Sequence, residues 1–537
     1  MSNPDPKPEA KRTEESPAIL VEWLTDAEDA TTEEHNLGLL DALKLCPSSV
    51  FWSLAMSTAI IMEGYDTMLV GNLFAQPAFQ KRYGQPSTGT SYEISAPWQA
   101  GLNNGSAIGQ LFGLLAAGYI SERLGFRKTM MVGLAVITGL IFITFFASSL
   151  QVLLAGQILF GIPLGLFQTT PVIYAMEISP ASLRPYLTTY VNFCWAIGHL
   201  IGAGILRGVL PMEDQWAYRI PFAIQWFWPV LLIPLLYFAP ESPWWLVRQG
   251  RLEEAKGVLR RLTSGGSTAF SIDKQVALMM VTTEHERTVN DQTSYTACFR
   301  GADLRRTLIV MGIYCIQTFS GNPLRGYSTY FLQQAGLPST QAFNMTIVGY
   351  SLALVGGFFT WVLLPVFGRR SIFFWSLVMM LVLMVLIGGL GVPQATSQET
   401  SYAWAIGSLL IISSFLYNCS MGTLTNTLCA EIPSALLRSK SVVLARWSYA
   451  VTTIAANALT PYQLNKTAWN WGAKTGFFWA GGCLLSAIFA YFCVPETKGR
   501  TTAEIDVLFE RKVSPRHFAQ TPVDLTQAIS GQDEKVV

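Results

Sequence analysis

The 537-residue sequence predicts an all-α polytopic membrane protein of twelve transmembrane helices in two related six-helix halves. Three observations carry that prediction. Hydrophobic residues make up 51% of the chain and charged residues only 13%, with a mean hydropathy of +0.35, which does not suit a string of soluble domains. About a dozen apolar stretches occur, each close to the ~20 residues that a hydrocarbon core of ~30 Å demands of a helix. The motif Glu-Ile-x4-Leu-Arg appears twice, from Glu177 to Arg184 and from Glu431 to Arg438, offset by 254 residues.

Residues 1–48 are polar and rich in Glu, Asp and Pro, without the basic and apolar regions of a cleavable signal peptide, and read as a disordered cytoplasmic tail. Six spans follow within 49–239, near 50–72, 100–120, 128–148, 152–175, 187–209 and 219–239. Residues 240–307 are the one long charged interruption. There Leu252, Ala255, Val258, Leu259 and Leu262 recur at helical spacing among Arg251, Glu254, Arg260 and Arg261, predicting a cytoplasmic linker with amphipathic helices. The second half, 308–495, holds spans near 308–333, 342–364, 372–392, 403–425, 441–464 and 473–494, and 496–537 reads as a cytoplasmic tail.

Basic residues concentrate in alternate loops (Arg123, Arg127, Lys128; Arg184; Arg369, Arg370; Arg438, Lys440), which the positive-inside bias places in the cytoplasm, with both termini. The exception is the loop with Lys81 and Arg82. A formal charge of +1 gives no sign of a nucleic-acid partner. The eight cysteines lack Cys-x-x-Cys spacing and read as packing residues. No metal-spaced cluster, nucleophile motif or phosphate loop is present, so neither an enzyme nor a cofactor is expected.

The internal repeat extends beyond the Glu/Arg pair. Pro240-Glu241 matches Pro495-Glu496 at an offset of 255, and Gly125-Phe-Arg127 matches Gly368-Arg369-Arg370 at about 243. All these motifs lie at cytoplasmic span ends, where carboxylates and guanidinium groups pair well. Glu122, Arg123, Arg127, Glu177, Arg184 and Glu241 with Arg369, Arg370, Glu431, Arg438 and Glu496 therefore form a candidate lattice that latches the two halves together on one side.

The run Gly118-Tyr-Ile-Ser-Glu122-Arg123-Leu-Gly125-Phe-Arg127-Lys128, the two Glu/Arg pairs, Pro240-Glu-Ser-Pro-Trp-Trp-Leu and Pro495-Glu-Thr-Lys-Gly-Arg-Thr together resemble the sugar-porter family of the major facilitator superfamily, over about residues 50–510. Glu63-Gly-Tyr-Asp66-Thr, Gly156-Gln157, Leu187-Thr-Thr-Tyr-Val-Asn192 and Leu459-Thr-Pro-Tyr462 are similar to the fungal maltose and α-glucoside proton symporters. That resemblance implies the major facilitator fold and import of a sugar with protons by alternating access, across what is expected to be the plasma membrane.

Candidate site residues follow from both sources. Glu63 and Asp66 lie three apart in the first span, on adjoining positions of one helix face. A carboxylate at membrane depth costs about 2.5–3.5 kcal/mol on insertion scales, which marks it as functional. Asp66 matches the family's proton-binding position, with Glu63 a second candidate. In many such porters an Arg of span four pairs with that Asp, whereas this chain has Gln157.

A neutral sugar needs amides that donate and accept, and aromatic rings for its apolar face. Span seven offers Gln317, Asn322 and Tyr327, which resemble the family's sugar contacts, around a helix break expected at Gly321 and Pro323. Span five offers Asn192 and His199, the latter standing where sugar porters usually carry Gln. His199 is left open between substrate contact, proton carriage and packing. Arg325 departs from the pattern and has three readings: pairing with Asp66 or Glu63, snorkelling outward, or binding an acidic substrate group. Arg446-Trp447-Ser-Tyr449 departs as well. The alternative to a neutral α-glucoside is therefore a divergent transporter of a sugar acid, glycoside or secondary metabolite; a sugar receptor is a further alternative.

Overall fold

Helix follows helix through the computed structural model, which describes residues 39–86, 92–180, 183–264, 271–292, 295–397, 399–434, 437–498, 500 and 502–521. The side chains of Arg184 and Arg438 lie outside the described set. Among the described residues, span one is Pro47–Ser57 with Ala59–Leu73, span two Ala96–Leu124 and span three Phe126–Phe145. Span four is Leu150–Ile178, span five Arg184–Val209 and span six Trp216–Ile224 with Phe227–Tyr237. Span seven is Gly301–Phe319, Asn322–Gly326 and Ser328–Gln334; span eight is Ser339–Val366. Span nine is Arg369–Ser397, span ten Thr400–Cys419 with Met421–Glu431, span eleven Arg438–Leu464 and span twelve Thr475–Cys493.

Seven helices among the described residues are long and apolar enough to cross a membrane by themselves. Spans one, two, five, seven and eleven fall short because they carry polar side chains such as Asp66, Gln110, His199, Arg325 and Arg446. Such residues are tolerated at depth only facing other helices or a cavity. The two halves meet mainly through span two on span eleven and span five on span eight. Outward, Leu115, Val230 and Leu485 are each about 70% exposed, the apolar face a lipid solvent requires.

Small residues set the closest helix approach. A Cβ on Gly109 of span two would lie 2.1 Å from the Ile158 carbonyl oxygen, and one on Gly161 of span four 2.2 Å from the Ser106 carbonyl oxygen. Lipid offers no hydrophobic drive between helices, so backbone-to-backbone packing of this kind holds them. Span seven breaks where Gly321 and Pro323 predict: the helix stops at Phe319, Gly321 takes φ +82°, and helix resumes at Asn322 with Pro323 in its first turn.

The segment expected as a disordered tail over 1–48 needs correction at its end, because Leu39–Leu45 is helical and span one begins at Pro47. Ala42 is fully buried, in a cluster with Ala175, Leu183 and Leu187, and that apolar burial orders the segment. The linker forms Pro243–Arg248, Leu252–Leu262 and Ile272–Gln292. In Leu252–Leu262 the buried side chains are Ala255, Leu259 and Leu262, the stripe seen in the sequence. These helices dock on the first half: the Trp245 indole donates to the Glu122 carbonyl at 2.8 Å, and the Ser264 amide donates to the Leu45 carbonyl at 2.7 Å. The described cysteines are all free, six of the eight buried, as packing residues are.

Candidate transport site

Asp66 and Glu63 are each 1% exposed in the middle of span one. Both oxygens of Asp66 are held by neutral donors: the Gln225 amide of span six at 3.0 Å on Oδ1 and the Ser106 hydroxyl of span two at 3.3 Å on Oδ2. The Gln168 amide of span four donates to Glu63 at 2.6 Å and to the Gln110 carbonyl oxygen at 3.3 Å. Gln110 in turn donates to the Ser106 hydroxyl oxygen at 3.3 Å. The two carboxylates are thus joined by an unbroken chain, Glu63–Gln168–Gln110–Ser106–Asp66, across spans one, two and four. The cation whose field reaches Glu63 is Arg446 of span eleven, from the opposite half.

Gln157 does not take the place of the expected span-four partner. Its amide is fully buried with neither polar atom hydrogen-bonded among the described residues, and Asp66 uses Gln225 and Ser106 instead. Gln157 instead packs its Cβ against Gly105 of span two, beside Ser106.

The residues expected to hold substrate do not gather in one place. Asn192 lines a cavity of about 20 Å³ between the halves, with Asn418 and Thr423 of span ten opposite it. Gln317 and Asn322 flank the span-seven break, Asn322 accepting from Arg325 at 3.4 Å. Tyr327, by contrast, is fully buried and stacks on Phe74 of the first half at 6.2 Å, so it closes a seam here. His199 also bridges the halves. Its Nε2 lies 3.3 Å from the Thr67 hydroxyl, and its ring stacks on Tyr350 of span eight at 5.1 Å. Arg325 neither snorkels nor reaches Asp66 or Glu63; it is 7% exposed and lies 4.2 Å over the Tyr417 ring.

A buried titratable pair, a seam between two halves and a broken helix beside it are the parts that ion-coupled alternating access can use. Similarity to known proteins agrees. The profile of the family described as "Sugar (and other) transporter" matches residues 52–509. The chain belongs to the sugar transporter family. It is 40% identical over 504 residues to a general alpha-glucoside permease of Saccharomyces cerevisiae, covering 93% of this chain and 81% of that one. It is 40% identical over 517 residues to a maltose permease of the same yeast, covering 95% and 84%. Its fold matches the inward-open xylose transporter of E. coli with a TM-score of 0.69 at 20% identity, over 85% of this chain and 98% of that one.

In this sugar transporter the duplicated motifs meet one another inside each half. Glu241 accepts from the backbone amides of Phe126 at 2.8 Å and Arg127 at 3.3 Å; Glu496 accepts from those of Arg369 at 2.8 Å and Arg370 at 3.2 Å. Each carboxylate caps the exposed amides that begin the next span. The preceding Gly125 and Gly368 make room, since a Cβ there would lie 2.5 Å and 2.1 Å from the respective carboxylate oxygens. Glu177 takes the Ser242 hydroxyl and Arg248 at 2.7 Å; Glu431 takes the Thr497 hydroxyl and Arg369 at 3.6 Å. Arg127 donates to the Ala239 carbonyl at 3.3 Å and Arg370 to that of Tyr491 at 2.8 Å, while Arg123 lies 4.2 Å over the Tyr119 ring.

These contacts among the described residues run within a half or to the linker, while the side chains of Arg184 and Arg438, two basic members of the expected latch, lie outside the described set. Phe193 of span five meets Phe358 of span eight at 4.5 Å on the motif side, but the hydrogen bonds between the halves among the described residues concentrate toward the opposite end. There Asn72 accepts from the Thr329 amide at 3.1 Å, Gln333 donates to the Ala75 carbonyl at 2.8 Å and the Tyr330 hydroxyl donates to Glu93 at 2.6 Å. Arg207 donates to Asn344 at 2.8 Å and Asn465 to the Ile94 carbonyl at 2.8 Å. Replacing Glu496 with Gln removes the charge from both capping bonds and sets an NH2 group against one of the two amides, and is expected to lower stability by about 1–2 kcal/mol, read as a lower melting temperature in detergent.

Gln168, Gln225, Ser106, Gln110, Glu93 and Asn418 were not singled out from the sequence. A Gln within an apolar span is a usable signal for Gln225, and for Gln168 beside Gln151 and Gln157 of the same span. Nothing local marks Glu93, whose partner Tyr330 is 237 residues away.

Proposed function

We propose that this chain imports an α-linked glucoside together with protons, from outside the cell across the plasma membrane, with the motif-bearing end and both termini in the cytoplasm. The observation that carries the reading is the buried hydrogen-bonded chain from Glu63 to Asp66. Asp66 has only neutral partners among the described residues, so gaining a proton there changes the local charge outright. The Ser106 hydroxyl can then turn from donor to acceptor, whereas the Gln225 amide nitrogen cannot, which selects Oδ2 as the protonated oxygen. Turning that hydroxyl is transmitted through Gln110 and Gln168 to Glu63, on which the charge of Arg446 of the other half acts. Protonation at one carboxylate is in this way felt at the seam that opens and closes.

The named activities of the yeast permeases, at 40% identity over nearly the whole chain, support an α-glucoside as the cargo. With the motif end inside, contacts concentrated at the far end describe a transporter closed to the outside. Uptake of radiolabelled maltose in transport-deficient cells, with and without a protonophore, tests the reading. Accumulation that collapses with the protonophore is expected; no uptake of any α-glucoside overturns it.

The outer closure makes a separate prediction. Asn72→Ala removes the acceptor for the Thr329 amide, at a cost of about 1–2 kcal/mol to the outward-closed state. The outward-open population rises, and apparent affinity for external sugar is expected to improve severalfold in uptake kinetics.

A further inference from the structure

We propose that the transporter takes a sugar bearing a single carboxylate, a uronic-acid glycoside, and that Arg325 binds that group. The inference rests on the sugar-transport reading and narrows its substrate class. Arg325 is 7% exposed, and its hydrogen bonds go only to neutral acceptors at long range: the Ser320 carbonyl at 3.3 Å, the Ser320 hydroxyl at 3.3 Å and Asn322 Oδ1 at 3.4 Å. Tyr417 lies beneath its guanidinium, and the groups acting on it from the packed spans are Tyr350, Tyr417, Tyr449 and Cys483. Among the described residues no carboxylate lies within ion-pair distance. A guanidinium stays charged at every working pH, so burial without a counter-ion leaves it short of its preferred partner.

The geometry around it provides a place for that partner. A cavity of about 20 Å³ opens beside Arg325, lined on its polar side by Ser328, Thr346, Tyr350 and Ser414. This is room for a carboxylate or a water rather than for a whole sugar. Tyr350 forms one wall of this cavity and stacks on His199 of the opposite half, so the pocket abuts the seam along which cargo must pass. The remainder of the disaccharide would extend toward that seam. A guanidinium grips a carboxylate with two parallel hydrogen bonds, and one positive charge balances one negative charge. A phosphate monoester, closer to two charges, would need a second cation that the described lining does not hold.

Counterflow in proteoliposomes tests this, with radiolabelled maltose and a radiolabelled α-linked glucuronosyl-glucose offered to the same preparation. The acidic disaccharide is expected to exchange with a half-saturating concentration at least tenfold below that of maltose. Arg325→Met is expected to raise that value at least tenfold while shifting maltose less than threefold, with Arg325→Lys between them. Equal preference in the unaltered protein overturns the proposal, and so does an Arg325→Met protein that keeps its preference for the acid. Should Arg325→Met fail to assemble, the unaltered protein and Arg325→Lys still decide it: an acid preference undiminished in Arg325→Lys overturns it. Inhibition of maltose exchange by inorganic phosphate or chloride at the concentrations where the acidic sugar acts also overturns it, in favour of an inorganic anion site. Maltose exchange with the acidic sugar inert defeats this inference alone; exchange of neither sugar defeats the sugar-transport reading with it.

Discussion

Asp66→Asn is expected to abolish uphill accumulation while sparing exchange of sugar down its gradient. A membrane potential of 100 mV supplies roughly 2.3 kcal/mol per charge, enough for about fiftyfold accumulation when one proton accompanies each sugar. Asn matches the shape of Asp and still accepts one hydrogen bond from Ser106 or Gln225, so the fold around spans one, two and six is retained. What it cannot do is bind and release a proton. The accumulation ratio should therefore fall from tens to about one, with counterflow near the unaltered rate. Accumulation at the unaltered level in Asp66→Asn would falsify the coupling role, and loss of exchange as well would show that the residue serves assembly or sugar binding instead.

Gly161→Leu is expected to eliminate folded transporter almost completely. A Cβ at this position would lie 2.2 Å from the Ser106 carbonyl oxygen and 2.9 Å from the Gly109 Cα, both backbone atoms that cannot swing aside. Spans two and four must then separate, losing packing along a helix of 29 residues on each side. Overpacking of an ordinary core costs about 1–3 kcal/mol, and here the obstruction is a backbone rather than a side chain. The same displacement moves Ser106 and Gln110 out of line with Asp66 and Gln168, so any protein that survives should couple poorly. Gly139→Leu on span three is the control, since nothing lies within 4 Å of a Cβ there. Surface abundance and size-exclusion profile distinguish the two, with near-normal yield for Gly139→Leu.

The order of twelve spans, the break at Gly321 and the duplication were all legible from hydrophobic runs, Gly/Pro placement and motif register, whereas helices such as Ala96–Leu124 and Arg369–Ser397 run several residues beyond the apolar stretches at both ends. Each is local in sequence or repeats at fixed spacing, and the cost of exposing backbone or charge to lipid leaves few other arrangements. The depth of Glu63 and Asp66 was equally legible, because a carboxylate inside an apolar run has few structural uses. Partner identity was not legible. Asp66 was matched with Gln157 by analogy, whereas helix rotation directs Gln225 and Ser106 at it, from 159 and 40 residues away.

The motif lattice shows the same division. Its residue types and repeat were plain in the sequence, yet which carboxylate meets which amide depends on loops folding back across a half, and whether the halves latch depends on conformation. The sequence by itself determined that this protein crosses a membrane twelve times in two related halves with ionisable groups at depth. Only the tertiary structure decided that the two carboxylates share one hydrogen-bonded chain, that the duplicated Glu residues cap helices within their own halves, and that Arg325 is buried away from both acids. Those outcomes turn on the relative rotation and sliding of packed helices, which is set by backbone contacts such as Gly109 on Gly161 and has no signature within any single span.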